Sequence, residues 1–278
     1  MNKYSLYIIM YGALAFMLSS CGASYSIKGS SDVSNLDGQK FYLTTFKNED
    51  MTNLDSCDVL HGQFKFAGKT DSVALAFITV ENSPLMPLIL EDGEIQISLN
   101  SANQNVTGTA LNDKFTKFRK ELDKIDGEIA DLSRKQSQGI MNGEDEDSLN
   151  IQLNNEFMKL TQKKEALVTK FISENFDSPL AAAAFQYITL PILIQGGAPE
   201  KNDWVESIII KANEDFKNDP YVKFYLEKAE YVEGVMNGTI ELPNQQQAPA
   251  QAMPESAPAP SADVPTPQEL ATPSDSAQ

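Results

Sequence analysis

Histidine and cysteine are scarce in this chain of 278 residues, which has one histidine, His61, and two cysteines, Cys21 and Cys57. The cysteines do not form a Cys-x-x-Cys pair, so the sequence offers no dithiol for disulfide exchange. A single histidine also excludes a multi-histidine metal site within one chain. Because His61 precedes Gly62, we interpret it as a polar residue at the edge of a hairpin. These shortages predict a protein that is not an enzyme and has no cofactor or bound metal.

Phosphate-binding and nucleophile motifs are absent as well. Gly196-Gly197 is not followed by the Lys-Ser/Thr of a phosphate-binding loop, and we interpret it as the end of a helix or a turn. The sequence has neither a G-x-S-x-G elbow nor a G-x-G-x-x-G fingerprint. The acidic run from Glu144 to Asp147 lacks the alternating ligands and distal glutamate of an EF-hand loop. We therefore expect a solvated loop between helices rather than a calcium site.

Basic side chains are outnumbered by acidic ones. The chain has 22 lysines and arginines against 39 aspartates and glutamates, which gives a formal net charge of −17 and a pI near 4.4. A surface of this charge repels the phosphates of nucleic acids, and no basic stripe offsets it. We expect no nucleic-acid partner.

No apolar run is long enough to cross a bilayer comfortably. The longest, from Tyr4 to Leu18, is shorter than the about 20 residues that a hydrocarbon core of ~30 Å requires. With Lys3 before it, the run is typical of a signal peptide. Leu18-Ser19-Ser20-Cys21 follows directly and resembles the lipobox of bacterial lipoproteins. The resemblance implies that residues 1–20 are removed and that a lipid on Cys21 anchors the mature chain to a membrane.

The alternative is an ordinary signal peptide followed by a cysteine through coincidence. Two or three acyl chains would give stable anchoring, since each buried methylene contributes about 0.8 kcal/mol. Residue 22 is glycine rather than the aspartate that commonly retains lipoproteins in the inner membrane, and no acidic run follows Cys21. By resemblance, these features favour a bacterial outer membrane, with the protein facing the periplasm.

Alternating apolar residues predict strands between Tyr25 and Thr109. The runs are residues 39–46, 62–67, 72–80 and 88–90, followed by alternation at Ile95, Ile97 and Leu99. Asp37-Gly38 and Asp92-Gly93 stand between such runs, and this pattern predicts β-hairpins. Six to eight short strands predict an antiparallel β-sandwich-like domain or curled sheet over residues 21–110.

The apolar period becomes helical after residue 110. A coiled-coil-type seam runs through two segments that the polar stretch Gly139–Asp147 separates, and this predicts an antiparallel helical hairpin. The seam residues are Leu111, Phe115, Phe118, Leu122, Ile125, Ile129 and Leu132, and then Leu153, Phe157, Leu160, Leu167 and Phe171.

Further helices are predicted after the hairpin. Ser178-Pro179 and Asp219-Pro220 are typical helix starts, and Pro191 is expected to end or kink the helix over residues 181–190. Another helix is expected over residues 203–211. Residues 111–240 are thus predicted to form a helical hairpin or bundle, which makes the fold class α+β. Residues 241–278 are rich in Pro, Ala, Gln and Ser and are predicted to be a disordered tail.

Several short segments occur in an order that resembles a known arrangement. They are Tyr25–Gly29, Phe41–Leu43, Asp71-Ser72, Leu90–Ile95, Val106–Asp113, Phe171–Asn175 and Ser178–Ala181. They resemble the uncharacterised β-rich domain and helical linker that precede a thioredoxin-like domain in lipid-anchored thiol–disulfide oxidoreductases. The resemblance covers roughly residues 22–235. Here the Pro-rich segment stands in place of the thioredoxin-like domain and its Trp-Cys-x-x-Cys site.

Three Asp-Ser-apolar tripeptides resemble the acceptor of a bacterial periplasmic O-glycosylation system. They make Ser72, Ser148 and Ser276 candidate glycosylation sites. Cys57 could be a reactive thiol or pair between chains, and we prefer a half-buried structural role. A set of aromatic residues could line a pocket, but helical spacing favours core packing; the set is Trp204, Phe216, Tyr221, Phe224, Tyr225 and Tyr231.

The sequence therefore predicts a non-catalytic, lipid-anchored envelope protein that acts as a binding or scaffolding module. Its expected partners are the membrane, through the lipid on Cys21, and an unidentified envelope protein, peptide or glycan. The alternative is an accessory component of an envelope thiol–disulfide pathway, which rests on the resemblance alone.

Overall fold

The first strand begins at Ala23 in the computed structural model, which describes residues 23–47, 50–81, 83–100 and 103–240. Within these ranges, eight strands come first and six α-helices follow, which confirms the α+β class. The strands are β1 (Ala23–Ser31), β2 (Lys40–Lys47), β3 (Asp50–Asp58), β4 (Gln63–Thr70), β5 (Ala74–Val80), β6 (Ser83–Leu90), β7 (Gly93–Leu99) and β8 (Gln104–Thr107). The helices are α1 (Ala110–Met141), α2 (Glu146–Ser173), α3 (Pro179–Ile194), α4 (Asp203–Ile209), α5 (Glu214–Lys217) and α6 (Pro220–Met236).

The strands form two four-stranded sheets with the orders β4-β1-β7-β8 and β3-β2-β5-β6. Neighbouring strands are antiparallel with one exception among the described residues: β1 and β7 are parallel, with Tyr25 opposite Gly93 and Ser31 opposite Leu99. The two sheets confirm the predicted antiparallel β-sandwich-like domain, in which β1–β7 is a parallel pair that the sequence pattern did not indicate.

Both Asp-Gly steps carry the chain from one sheet to the other, so the prediction of hairpins at these positions was wrong. β1 and β2 lie in different sheets, and so do β6 and β7. Gly38 and Gly93 have positive φ values of 78° and 116°, which only glycine adopts without strain. The turn chemistry was predicted, but it does not determine which strand becomes the partner. The hairpin pairs are β2–β3, β5–β6 and β7–β8.

Two apolar cores hold the sheets and helices together. Phe41, Phe66 and Ile27 are among the fully buried side chains between the two sheets. On the outer face of the second sheet, Leu75 and Ile89 pack in a separate cluster with side chains of the helices. The outer face of this sheet and the helical region consequently share one core.

The helical hairpin of α1 and α2 was predicted, but its details differ from the sequence pattern. α1 continues to Met141 and α2 begins at Glu146, so the loop is shorter than residues 139–147. Phe157 was predicted in the seam and is instead 46% exposed. The preceding residue, Glu156, is only partly exposed and forms an ion pair with Lys135 of α1. A pattern of apolar residues alone could not reveal that a polar contact joins the helices here.

Pro191 does not end its helix, which was one of the two outcomes predicted from the sequence; the other outcome, a kink, stays a prediction. It lies inside the last turns of α3, which continues to Ile194. The turn at Gly196-Gly197 closes this helix: Gly196 has a φ of 79°, and the Gly197 N–H donates to the Ile192 carbonyl at 2.8 Å. This confirms that the glycine pair closes a helix.

The two predicted helix starts are present. Ser178 Oγ accepts from the Leu180 N–H at 3.3 Å, and Asp219 Oδ1 accepts from the Tyr221 N–H at 2.9 Å. α4 ends at Ile209, two residues before its predicted end, and the short α5 was not predicted.

Candidate functional site

The candidate modification sites fall partly outside the described residues. Cys21 and Ser276 lie there, as do the predicted signal segment and tail, and these predictions stay predictions. Ser72 is exposed in the bend between β4 and β5. Ser148 is exposed in the first turn of α2, and its hydroxyl and its backbone N–H both bond to the Asp145 carboxylate and lower the pKa of Asp145. Of these two serines, Ser148 has its hydroxyl bonded to a carboxylate, and Ser72 is therefore the more accessible candidate.

Cys57 lies in β3 and is half-buried against the core between the sheets. Burial raises the pKa of its thiol, and the charges of Asp55 and Asp58 add to this effect. A raised pKa lowers the fraction of thiolate, which is the species that reacts in disulfide exchange. The environment therefore agrees with a structural role.

His61 occupies a tight turn between β3 and β4. It has a φ of 52° and Gly62 a φ of 70°, and the backbone groups of Leu60 and Gln63 bond to each other at 2.9 and 3.0 Å. This is the geometry of a type I′ turn, in which both central residues have positive φ. His61 is exposed there, as predicted, although the turn connects two different sheets.

The acidic run and most of the aromatic set have structural roles. Asp145 caps α2 by accepting from the Ser148 N–H at 3.0 Å. In the described part of the chain, no group of three His, Cys, Asp or Glu side chains is placed to hold a metal ion. Phe216, Tyr221 and Tyr225 are buried around Phe185, and burial raises the pKa of Tyr221. Core packing thus accounts for these three rings.

The junction between sheet and helix is built around Asn112, which is completely buried. Its Oδ1 accepts from the Ile89 N–H at 2.8 Å, and its Nδ2 donates to the Ile89 carbonyl at 2.7 Å and to Thr109 Oγ1 at 2.9 Å. Ile89 belongs to β6, an edge strand of the second sheet. The amide of Asn112 therefore satisfies the strand edge as a neighbouring strand would.

Glu91 completes this junction by capping α1. Its Oε1 accepts from the backbone N–H groups of Leu111 and Asn112 at 3.1 and 3.0 Å. These N–H groups lie in the first turn, where a helix has no internal acceptor and favours a negative charge. Gly108 precedes the helix with a φ of 100°, and a Cβ there would lie 2.5 Å from the Glu94 carbonyl oxygen. The Gly-Thr-x-Leu-Asn-Asp passage is therefore a structural motif.

Arg119 is an unusual buried charge on α1. It is 7% exposed, and among the described residues it has no carboxylate partner and its Nε has no hydrogen-bond acceptor. Its guanidinium carbon lies 5.7 Å from the centroid of the Tyr187 ring, which is a cation–π distance. The ring therefore compensates part of the cost of burying this cation.

The best candidate for a binding site is an open groove between α2 and α4, with a volume of about 990 Å³. We call it the Trp204 groove. Its wall includes Gln162, Glu165, Thr169, Asp203, Trp204 and Lys211. Trp204 Nε1 donates to Thr169 Oγ1 at 3.1 Å, and the indole lies parallel to the Phe185 ring, with centroids 6.2 Å apart and planes 9° apart. The indole is thus fixed in position at the groove.

One feature of the sequence pointed to this groove, namely its single tryptophan, Trp204. The other lining residues come from the second half of α2 and from α4 with its flanking residues Asn202 and Lys211. They follow no motif, because helix packing rather than sequence spacing brings them together.

None of the helices in the described ranges has both the length and the apolar composition needed to cross a membrane.

Residues 25–115 match the model of a family described as Domain of unknown function (DUF4369). This segment is about a third of the chain and extends from β1 into α1, so it includes the junction at Glu91 and Asn112. No curated protein and no solved structure matches the chain. The match supports an uncharacterised domain over these residues and carries no statement about activity.

Proposed function

We propose that the protein is a lipid-anchored, non-catalytic envelope protein that acts as a binding or scaffolding module at the periplasmic face of the outer membrane. One observation carries this proposal: Ala23, two residues after Cys21, already belongs to β1. Two residues span at most about 7 Å. A lipid on Cys21 would therefore hold the β-sandwich directly at the membrane.

The contacts of β1 define which end of the sandwich would lie at the membrane. Ala23 is opposite Thr70, the last residue of β4, and the Ser24 N–H donates to Asp92 Oδ1 at 2.7 Å. We call this the Ala23 end. β8 finishes toward it because β8 is antiparallel to β7, and β7 is parallel to β1.

α1 begins at the Ala23 end and runs away from it. Thr116 Oγ1 donates to the Val106 carbonyl at 2.6 Å, and one turn further Lys120 Nζ donates to Asn105 Oδ1 at 3.0 Å. The helix thus runs antiparallel to β8. With 32 residues it is about 48 Å long. The loop between α1 and α2 would stand far from the membrane, as suits a module that presents a surface to a partner.

The alternative role in a thiol–disulfide pathway receives less support. It would require Cys57 to react, and its half-buried position raises the pKa of its thiol. A separate thioredoxin-like partner would have to reach this side chain within β3.

Metabolic labelling with an alkyne fatty acid tests the anchor. We expect the wild-type protein to take up the label and to fractionate with membranes. A Cys21→Ala variant should lose both properties, and a Cys57→Ala variant, which removes the other cysteine, should keep both. Equal labelling of the wild type and the Cys21→Ala variant would contradict the proposal.

A further inference from the structure

The Trp204 groove combines a fixed aromatic surface with hydrogen-bonding groups that have no partner in the described ranges. Trp204 lines the groove, and its indole lies parallel to the Phe185 ring of the core, with centroids 6.2 Å apart. Trp204 itself is half-buried. A rigid, partly exposed indole is a suitable platform for the apolar C–H face of a sugar ring, because such a ring stacks without losing its hydroxyl contacts.

Four exposed side chains around this platform are unpaired in the part of the chain that the structure describes. They are Gln162, Glu165, Asp203 and Lys211. Together they offer amide and ammonium donors and amide and carboxylate acceptors. Sugar hydroxyls both donate and accept, so a mixed set of this kind suits them.

The charge of the groove also favours a neutral ligand. Two acidic residues, Glu165 and Asp203, are balanced by two basic ones, Lys170 and Lys211. This balance contrasts with the net charge of −17 of the whole chain. A polyanionic ligand would therefore be repelled by the acidic protein, and the groove has no excess of basic residues to offset this repulsion.

A peptide fits the groove less well than a saccharide. Peptide side chains need apolar pockets, and Trp204 and Ala166 are the apolar side chains in the lining of this groove. The groove also lies between two helices and so offers no strand edge for main-chain pairing. Its volume of about 990 Å³ is at the upper end of the range for ligand pockets, which suits several sugar rings.

We propose that the Trp204 groove binds a short neutral oligosaccharide, which stacks one ring on Trp204 and bonds to Gln162 and Glu165 of α2 and to Asp203 of α4. This assignment rests on the proposed function as a binding module and specifies its ligand class.

The single tryptophan makes the test direct, because fluorescence excited at a wavelength that only tryptophan absorbs reports on the groove alone. The full mature protein in detergent is titrated with chitotetraose, maltotetraose and cellotetraose, and with a Gly-Ser decapeptide as a comparison. We expect a saturable change of Trp204 emission with at least one saccharide and a Kd of about 0.1–1 mM.

Variants on α2 show whether the groove is responsible. In the double variant Gln162→Ala and Glu165→Ala, affinity should fall about tenfold or more, while alanine preserves the helix and the Trp204 probe remains. The matched control is Gln152→Ala with Asn155→Ala, two exposed positions of the same helix away from the Trp204 groove. Its affinity should equal that of the wild type. Calorimetry on Trp204→Phe should show lost binding with folding checked by circular dichroism.

Three results would overturn the proposal: no saturable change with any saccharide up to about 10 mM, binding of the peptide alone, or equal affinity in the double variant and the wild type. The titration does not depend on acylation. An acylated protein that binds no saccharide would refute the proposed ligand class and leave the proposed lipid anchor intact. Saccharide binding by a protein without lipid on Cys21 would refute the anchor and support the ligand class.

Discussion

At the scale of single residues, Asn112 takes the place of a neighbouring strand at the edge of β6. Its side chain satisfies both backbone groups of Ile89 and is itself fully buried. Removing it leaves a buried N–H and a buried C=O without partners, and each such loss costs about 1–3 kcal/mol. The contribution of Asn112 is therefore large for one side chain.

We expect Asn112→Ala to lower the free energy of unfolding by about 2–4 kcal/mol, measured by urea denaturation. The control is Asn150→Ala, which removes an exposed contact with Gln136 and should cost less than about 0.5 kcal/mol. An Asn112→Ala variant that loses less than about 1 kcal/mol would show that the junction is not a stabilising element.

Arg119 leads to a prediction in the opposite direction. A buried guanidinium without a carboxylate is costly, and a cation–π contact with Tyr187 returns only about 0.5–1 kcal/mol. Methionine keeps most of the apolar stem. We therefore expect Arg119→Met to be as stable as the wild type or more stable by about 1 kcal/mol in urea denaturation.

Arg119→Ala is the companion variant, because it also removes the stem and should lose about 1–2 kcal/mol through lost packing. If Arg119→Met instead lost more than about 2 kcal/mol, the guanidinium would have to be paired with an anion.

The sequence predicted those capping residues whose partners lie nearby in the chain and not those whose partners are distant. The caps at Ser178 and Asp219 are local, since each side chain bonds to a backbone group two or three residues later, and they were predicted. Glu91 caps a helix that begins 19 residues downstream, and no local pattern reveals this. The lining of the Trp204 groove was hidden for the same reason, since it joins distant segments.

At the scale of elements, the hairpin of α1 and α2 has a well-packed base and a sparsely packed tip. Leu122 and Ile172 of the base belong to the large core that includes the second sheet. Leu132, Leu149 and Leu153 form a separate small cluster, which we call the hairpin tip cluster. Exposed ion pairs such as Lys163–Glu128, at 3.0 Å, connect the helices and contribute little each. The tip should therefore open locally before the base.

We expect Leu122→Ala to lower the free energy of global unfolding by about 2–4 kcal/mol. Leu153→Ala should instead increase hydrogen exchange near the loop between the helices, with a much smaller effect on global unfolding. Hydrogen exchange followed by mass spectrometry distinguishes the two. Equal loss of protection over the whole chain in both variants would contradict a separate tip.

The positions of most strands in the two sheets could be predicted from the sequence, but their partners could not. Alternation identified most strands and glycine chemistry identified the turns, because both signals are local. Strand partners depend on contacts between distant residues. The parallel pair β1–β7 and the change of sheet at Asp37-Gly38 and Asp92-Gly93 therefore emerged only from the structure.

At the scale of the whole molecule, the proposed anchor sets an orientation. The Ala23 end would lie at the lipid surface, and α1 would extend about 48 Å away from it. The Trp204 groove lies on the half of α2 that returns toward the sandwich, since Lys114 near the start of α1 bonds to Asn175 at 2.6 Å. A ligand in the groove would thus be held nearer the membrane than the tip.

Energy transfer on vesicles tests this orientation. In a Cys57→Ser background of the acylated protein, a donor dye at Ser72→Cys should transfer efficiently to a lipid-bound acceptor, because Ser72 follows Thr70 at the Ala23 end. A donor at Asn142→Cys, in the loop after α1, should transfer much less. Equal transfer from both positions would contradict an upright hairpin.

The most direct measurement is the mass of the N-terminal peptide of the protein extracted from native membranes. We expect a peptide that begins at Cys21 and carries a diacylglyceryl group, with or without a further acyl chain on its amino group. A peptide that retains residues before Cys21, or one that begins at Cys21 without lipid, would contradict the proposal that acyl chains hold this protein at the membrane.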